Sequence, residues 1–241
     1  MMAEQPVSLP VPGYADLHLT TRSGRILVVA EDRRDVLIET GAPSPDKIEV
    51  DATGRVQLSS ARGGSSALEV RCPAGADVVI GTLSGRIELR GTLGSVRVTT
   101  VSSDISVERA EALDLRTVAG SIEVGSCAGA CSLRTKSGKA TVDSACDAYV
   151  STISGSILLG KTARKVRAQT VSGQVRVGTQ SDGDVAVQTL SGSVTVAVPE
   201  GVRPEARLAS MVGRPRCDCP EGSDCRIAVR SVSGRIEVVR A

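Results

Sequence analysis

The residues best suited to chemistry lie near the C-terminus, in Cys217-Asp218-Cys219-Pro220-Glu221-Gly222-Ser223-Asp224-Cys225. Three thiolates on one turn can take up zinc, with a fourth ligand from Asp218, Asp224 or elsewhere. The spacing is not a pair of Cys-x-x-Cys knuckles, and the only histidine, His18, is distant in sequence. A local disulfide, Cys217 or Cys219 with Cys225, would use the same residues. Free thiols on a surface loop are the third reading. No metal or cofactor is expected, and Cys217, Cys219 and Cys225 are the weak candidates should one be held. Cys127, Cys131 and Cys146 sit at small-residue positions and read as small buried apolar side chains. His18 alternates with Leu17 and Leu19 and is expected to point outward on a strand.

Many Ser-Gly dipeptides invite a nucleophile reading, but the Gly-x-Ser-x-Gly elbow is missing and the serines recur at a fixed period. No phosphate loop, dinucleotide fingerprint or zinc-protease motif is present. The Asp and Glu residues are scattered, and no aromatic platform for sugars exists. No catalytic residue is expected, and the chain reads as non-enzymatic.

The serines belong to an eight-residue phrase, Thr-x-Ser-Gly-x-(Ile/Val)-x-(Val/Leu). It occurs at 82–89, 117–124, 135–142, 152–159, 170–177 and 189–196, and closes at 231–238. Its glycine slot falls at 85, 103 (filled by Ser103), 120, 138, 155, 173 and 192, a period of about 18 residues. A fixed period of this size marks a stacked repeat architecture.

Alternation within each period means strand. Val96, Val98 and Thr100 share one face, and Val101, Ile105 and Val107 are expected to share another, with the change of phase between Thr100 and Val101. The same grammar places Val118, Val171 and Leu190 inward. A connector of about five residues follows, with a small residue at Ala110, Cys127, Ala145 or Ala163. The chain travels the same way in every period, so equivalent strands must stack in parallel. The predicted fold is all-β: a single-stranded parallel β-helix (β-solenoid) with about 18 residues per coil. Thr is expected inward at the corner, its hydroxyl bonded along the stack or to backbone, with Ser outward. The glycine is expected inward near the bend, where a side chain would crowd the core or φ > 0 is wanted.

Before residue 82 the rhythm is looser. Thr21-Arg22-Ser23-Gly24-Arg25-Ile26-Leu27-Val28 is one clear copy, and 52–58 is a degraded one. Asp35–Glu39 and Lys47–Val50 read as strands, separated by the turn-rich 41–45. Residues 1–75 are read as a less regular N-terminal β portion starting the stack. Residues 76–241 are read as regular coils with a Cys-containing insertion near 213–226.

Composition agrees with thin repeated layers. The chain has no Phe or Trp and two Tyr, and its apolar content is Val, Ile, Leu and Ala. Net charge is +2 without a long basic run, so sequence-wide attraction to nucleic acid or anionic membrane is not implied. No apolar run reaches the roughly 18 residues that span a bilayer, so no direct membrane insertion is expected. The start lacks the regions of a secretory signal, and seven cysteines form no even framework. A cytoplasmic protein is expected, surface-associated if a signal has been removed.

The Thr-x-Ser-Gly-x-Ile-x-Val repeats resemble the bacterial DUF4097 family of β-strand repeat proteins and candidate adhesins. The Leu17-x-Leu19 strand, Ser23-Gly24-Arg25-Ile26 and Cys72-Pro73-x-Gly75 fit as well. The resemblance implies a β-solenoid, and its members are often membrane-attached or exported. A looser similarity is to bactofilins, cytoskeletal β-helix proteins that polymerise end to end.

Two functions follow. The last repeat finishes three residues before Ala241, leaving the final coil without a cover. An uncovered coil is a template for another chain. The leading expectation is a structural scaffold that self-associates as a homo-oligomer through this coil, with Ile236 and Val238 at the contact. The alternative is an adhesin-like or envelope-stress binding module presenting a solenoid face to a protein or glycan. Ice binding, suggested by the Thr and Ser rows, is disfavoured because parity turns Thr inward.

Overall fold

The computed structural model describes residues 7–10, 15–40, 47–51, 54–60, 67–180 and 183–241. The turn-rich 41–45, Ala52 and Thr53 of the degraded repeat, and the first six residues lie outside them. The described residues lie mostly in strands, in two compact units, Met1–Gly120 and Ser121–Ala241. Both units are all-β and built of stacked parallel coils.

The first unit contains β1 (Val7–Pro10), β2 (Asp16–Thr21), β3 (Arg25–Glu31), β4 (Asp35–Thr40), β5 (Lys47–Val50), β6 (Arg55–Ser60), β7 (Leu68–Pro73) and β8 (Asp77–Arg116). β8 runs unbroken through more than one coil. The coil β2–β3 is sandwiched: β2 pairs in parallel with β6 and β8, and β3 with β7 and β8. The coil β6–β7 therefore lies outside β2–β3, against chain order, and the degraded repeat stacks on β2 rather than on the strand of the clear copy. Its far edges are covered by antiparallel strands, β5 on β6, β4 on β7 and β1 on β4. Antiparallel cover of this kind hides the unpaired edge groups of a parallel stack.

The second unit contains β9 (Ile122–Arg134), β10 (Ala140–Ser154), β11 (Ile157–Ser172), β12 (Val175–Thr179), β13 (Asp184–Ser191), β14 (Val194–Val198), β15 (Pro204–Val212), β16 (Arg216–Cys217), β17 (Cys225–Ser233) and β18 (Ile236–Arg240). Coils add in chain order through β9, β10 and β11, then β12–β14 and β13. The order then breaks. β17 pairs with β13 on one side and β15 on the other, and β18 lies between β14 and β16. The last coil of the chain is thus an interior coil of the stack.

Side chains fill the coils as alternation requires. Val185, Val187, Val194 and Val196 are buried in one coil, and Ile227, Val229, Ile236 and Val238 in the next. The connector position is filled by Ala110, Cys127 and Ala145, all buried. In the fourth coil Thr162 takes this place instead of Ala163, and its hydroxyl donates to the Gly178 carbonyl at 2.7 Å.

The corner follows one rule and overturns part of the predicted parity. Thr82, Thr100, Thr117, Thr135, Thr152, Thr170, Thr189 and Ser231 are buried. Thr117 donates to the Ala119 carbonyl at 2.9 Å, Thr135 to Ser137 at 3.0 Å and Ser231 to Ser233 at 3.1 Å. Thr82, Thr170 and Thr189 do the same with Ser84, Ser172 and Ser191. A hydroxyl that reaches the carbonyl two residues on forces the residue between them to the outside of the turn. Val118, Val171 and Leu190 are therefore exposed rather than buried, and Val101 is exposed too, at a corner where Thr100 meets the Ser103 hydroxyl instead. The phase changes one residue later than the alternation suggests.

The glycine is needed for stacking rather than for core space. Gly192 has φ +137°, and a Cβ there would be driven into the carbonyl oxygen of Gly173 in the preceding coil. Ser103 fills the slot in the first unit with a different corner, its hydroxyl 2.7 Å from that of Thr100.

Gly192→Ala is expected to cost at least about 3 kcal/mol, strained φ plus backbone collision, lowering the thermal midpoint by roughly 6–12 °C. Gly201, also at positive φ but with open space around its Cβ position, is expected to lose only about 1–2 kcal/mol on the same change. Calorimetry of the two variants compares them. Equal losses would remove the stacking argument.

Candidate functional site

Ile236 and Val238, expected at an open end, are both fully buried. The coil that carries them has paired strands on both sides, so it offers no free edge. The expected uncapped C-terminal coil is corrected by this geometry: the outermost coil of the second unit is β15 and β16. Pro204, Pro215 and Pro220 interrupt it, and Glu205 pairs with Arg207 at 2.7 Å and Arg226 at 3.4 Å. Prolines and charges on a short edge coil are devices that discourage strand addition.

The seven cysteines are free thiols. Cys217 is exposed on β16, Cys219 half-buried and Cys225 buried at the start of β17. The Cys217 thiol donates weakly to the Cys219 carbonyl at 3.8 Å. Burial, then the neighbouring Cys217, raises the Cys219 thiol above its ordinary value. Burial raises Cys225 as well, with Asp224 and Cys219 adding to it. Among the described residues, no three His, Cys, Asp or Glu side chains group as a metal site. Cys127 and Cys131 lie in one connector, both buried, and their mutual hydrogen bond together with burial holds the Cys131 thiol protonated. Burial pushes Cys72 up to about 12.

Among the described residues, no catalytic constellation emerges elsewhere. His18 is half-exposed, with Nε2 3.1 Å from Asp16 Oδ1. The other oxygen of Asp16 accepts from Arg55 at 2.7 Å. An open cavity of about 320 Å³ beside β5 and β6 is lined by Glu49, Val50, Asp51, Arg55 and Gln57, without a nucleophile.

The distinctive surface is the outside of the corner. Paired registers Thr152↔Thr170 and Ser154↔Ser172 place Ile153 beside Val171. The next registers add Leu190, then Val232, then Met211. These five are exposed by 50%, 44%, 52%, 39% and 81%. They form a ridge of aliphatic rungs spaced by ~4.8 Å, bordered by the outward Ser154, Ser172, Ser191 and Ser233. In the first unit Leu83, Val101 and Val118 are likewise exposed. Alternation alone assigned Val101, Val118, Val171 and Leu190 to the core. The signal that could have placed them is the Thr-x-Ser spacing, because a hydroxyl-to-carbonyl turn leaves its middle residue outside.

The described residues form a parallel β-solenoid whose corners are closed mainly by threonine. The chain belongs to the DUF4097 family: the Toastrack DUF4097 model matches residues 7–213. A comparison with curated proteins gives no match. Among solved structures, the chain is similar to a candidate adhesin from Bacteroides fragilis, with 11% identity, TM-score 0.49 and coverage of 98% of this chain and 95% of that one. It is also similar to a candidate adhesin from Parabacteroides distasonis, with 14% identity, TM-score 0.45 and coverage of 98% and 96%.

Two outcomes are expected. With an aromatic disulfide reagent near neutral pH, Cys217 reacts fastest and Cys72, Cys127 and Cys131 only on unfolding; Cys217→Ser removes the fast phase. A rapid reaction of Cys72 in the native protein contradicts its burial. Ile236→Asp places a charge in the core and should lower stability by about 3–5 kcal/mol. Sedimentation and thermal melts distinguish this from the dissociation of an assembly.

Proposed function

We propose that this protein is a non-enzymatic binding module of the adhesin type, which presents the corner ridge of its coils to a partner at the cell envelope. The observation that carries the reading is the ridge. Five aliphatic side chains stand in register on the outside of one corner, each exposed. Contiguous exposed apolar surface with a polar rim marks an interaction site, whereas isolated exposed apolar residues do not. The alternating burial of the coils also favours presentation over catalysis, because every inward position is spent on packing. A scaffold joined through Ile236 and Val238 has lost the surface it required.

The test is binding of immobilised protein to bacterial envelope fractions. The double change Val171→Thr and Leu190→Thr keeps β-branched or polar side chains that strands tolerate. It removes apolar contact worth roughly 1 kcal/mol or more per side chain. Binding is expected to fall about tenfold or more while the melting temperature moves by only a few degrees. Undiminished binding by the folded variant would remove the ridge from the function.

A further inference from the structure

The corners of the second unit show a charge bias that stacking does not require. In spatial order they are residues 134–139, 151–156, 169–174, 188–193, 230–235 and 209–214. Their sequences read Arg-Thr-Lys-Ser-Gly-Lys, Ser-Thr-Ile-Ser-Gly-Ser, Gln-Thr-Val-Ser-Gly-Gln, Gln-Thr-Leu-Ser-Gly-Ser, Arg-Ser-Val-Ser-Gly-Arg and Ala-Ser-Met-Val-Gly-Arg. No Asp or Glu occurs in any of them. Six cations do: Arg134, Lys136 and Lys139 at one end, and Arg230, Arg235 and Arg214 at the other, all exposed. The rest of Ser121–Ala241 carries ten Lys and Arg against eleven Asp and Glu. Carboxylates are thus common in the unit and missing from the ridge.

An aliphatic ladder alone has a bland explanation, since stacked side chains support neighbouring strands. That explanation is silent about charge. Lys136 and Lys139 on one corner repel each other, and an acidic neighbour would relieve them. Arg235 has Glu237 3.6 Å away, but Glu237 lies beyond the corner, on the adjoining strand. Arg134 lies 5.6 Å over the ring of Tyr149. The strip therefore combines three things along about 24 Å: protruding aliphatic side chains, hydroxyl and amide groups beside them, and cations at both ends.

We propose that this ridge docks on the surface of an anionic lipid bilayer. This rests on the reading of the corner as the binding surface and names its partner. The aliphatic side chains enter the boundary between headgroups and acyl chains, as the apolar face of an interfacial element does. The serine and glutamine side chains remain at headgroup level. The lysines and arginines extend along the surface to lipid phosphates and anionic headgroups. The described residues contain no helix long and apolar enough to cross a membrane. A soluble acidic polypeptide would satisfy the cations and leave the aliphatic rungs in water. The bilayer satisfies both.

The experiment uses the full chain with protein-free vesicles, either pure phosphatidylcholine or phosphatidylcholine with roughly one-third phosphatidylglycerol. Co-sedimentation is expected to be at least about tenfold stronger on the anionic vesicles and to weaken with added salt. Lys136→Gln with Lys139→Gln should weaken it about tenfold. Val171→Thr with Leu190→Thr should do the same without changing net charge. Lys161→Gln with Arg176→Gln, exposed cations outside the corners, should leave it unchanged. The chain has no Trp, so Leu190→Trp gives a single emitter, whose fluorescence should shift to the blue on anionic vesicles and stay unshifted with soluble polyglutamate. Equal binding to both vesicle types, full binding by the Thr variant, equal loss in the Lys161 and Arg176 variant, or an unshifted Trp overturns the assignment. If vesicles fail while envelope binding still depends on Val171 and Leu190, only the lipid partner falls and the binding-module reading stands.

Discussion

Most coils are closed by a hydroxyl reaching across their own corner. The bond from Thr135 to the Ser137 carbonyl, or from Ser231 to that of Ser233, is short-range and made inside the stack. It satisfies a buried hydroxyl that would otherwise cost roughly 1–3 kcal/mol. It also fixes where the chain turns, and so which side chains face inward on the next strand. The glycine that follows lets one corner rest on the next. Without a Cβ at Gly192 and Gly234, the carbonyl of the preceding glycine occupies that space. The two features act together: threonine sets the turn within a coil, and glycine sets the distance between coils. Thr152 and Ser210 are exceptions, in the same column with their hydroxyls buried and unpartnered.

Uniform corners make the coils interchangeable, and interchangeable coils need not stack in chain order. In the first unit the coil β2–β3, which carries the clear copy, is sandwiched, and the coil β6–β7, which carries the degraded copy, lies outside it. In the second unit the complete copy at 231–238 is sandwiched, and the proline-interrupted segment 204–217 lies outside. The logic is the same in both. A sandwiched coil must pair on two edges and match two neighbours. An outer coil matches one, so it can hold Pro204, a two-residue strand such as β16, or charged side chains along its edge. Degeneration of a repeat therefore marks position in the stack more reliably than nearness to a terminus does.

This explains how far the sequence could be read. The parallel solenoid, the inward threonine and the outward serine all follow from local alternation and a fixed period. The outward turn of Val118, Val171 and Leu190 does not, because alternation counts residues and is blind to a hydrogen bond that adds one outward step. The burial of Ile236 and Val238 was hidden for another reason. Coil order is a long-range choice among near-identical partners, and nothing within 231–238 encodes which coils lie beside it. The thiols were legible as a cluster but not as a site: Cys217, Cys219 and Cys225 differ in burial, and that difference comes from the outer coil, not from their spacing.

The same geometry decides which surface is left for function. Along the faces, a cation commonly has a carboxylate two residues away on its own strand, as in Arg71 with Glu69, Arg116 with Asp114 and Arg207 with Glu205. Such pairs are solvated and contribute little stability, but they neutralise the face on which they stand. The inward positions are filled by packing, and the outer coils carry prolines, antiparallel strands or charge. In the second unit the corner escapes all three constraints. Its inward threonine and its glycine are fixed by stacking, and the residue between them is forced outside whatever its chemistry. A stack free to choose any residue there has placed aliphatic side chains on five adjoining corners and kept carboxylates off all six. That choice has no counterpart in the packing of the coils, which is why the corner, built first as a device for stacking, is also where a partner would be met.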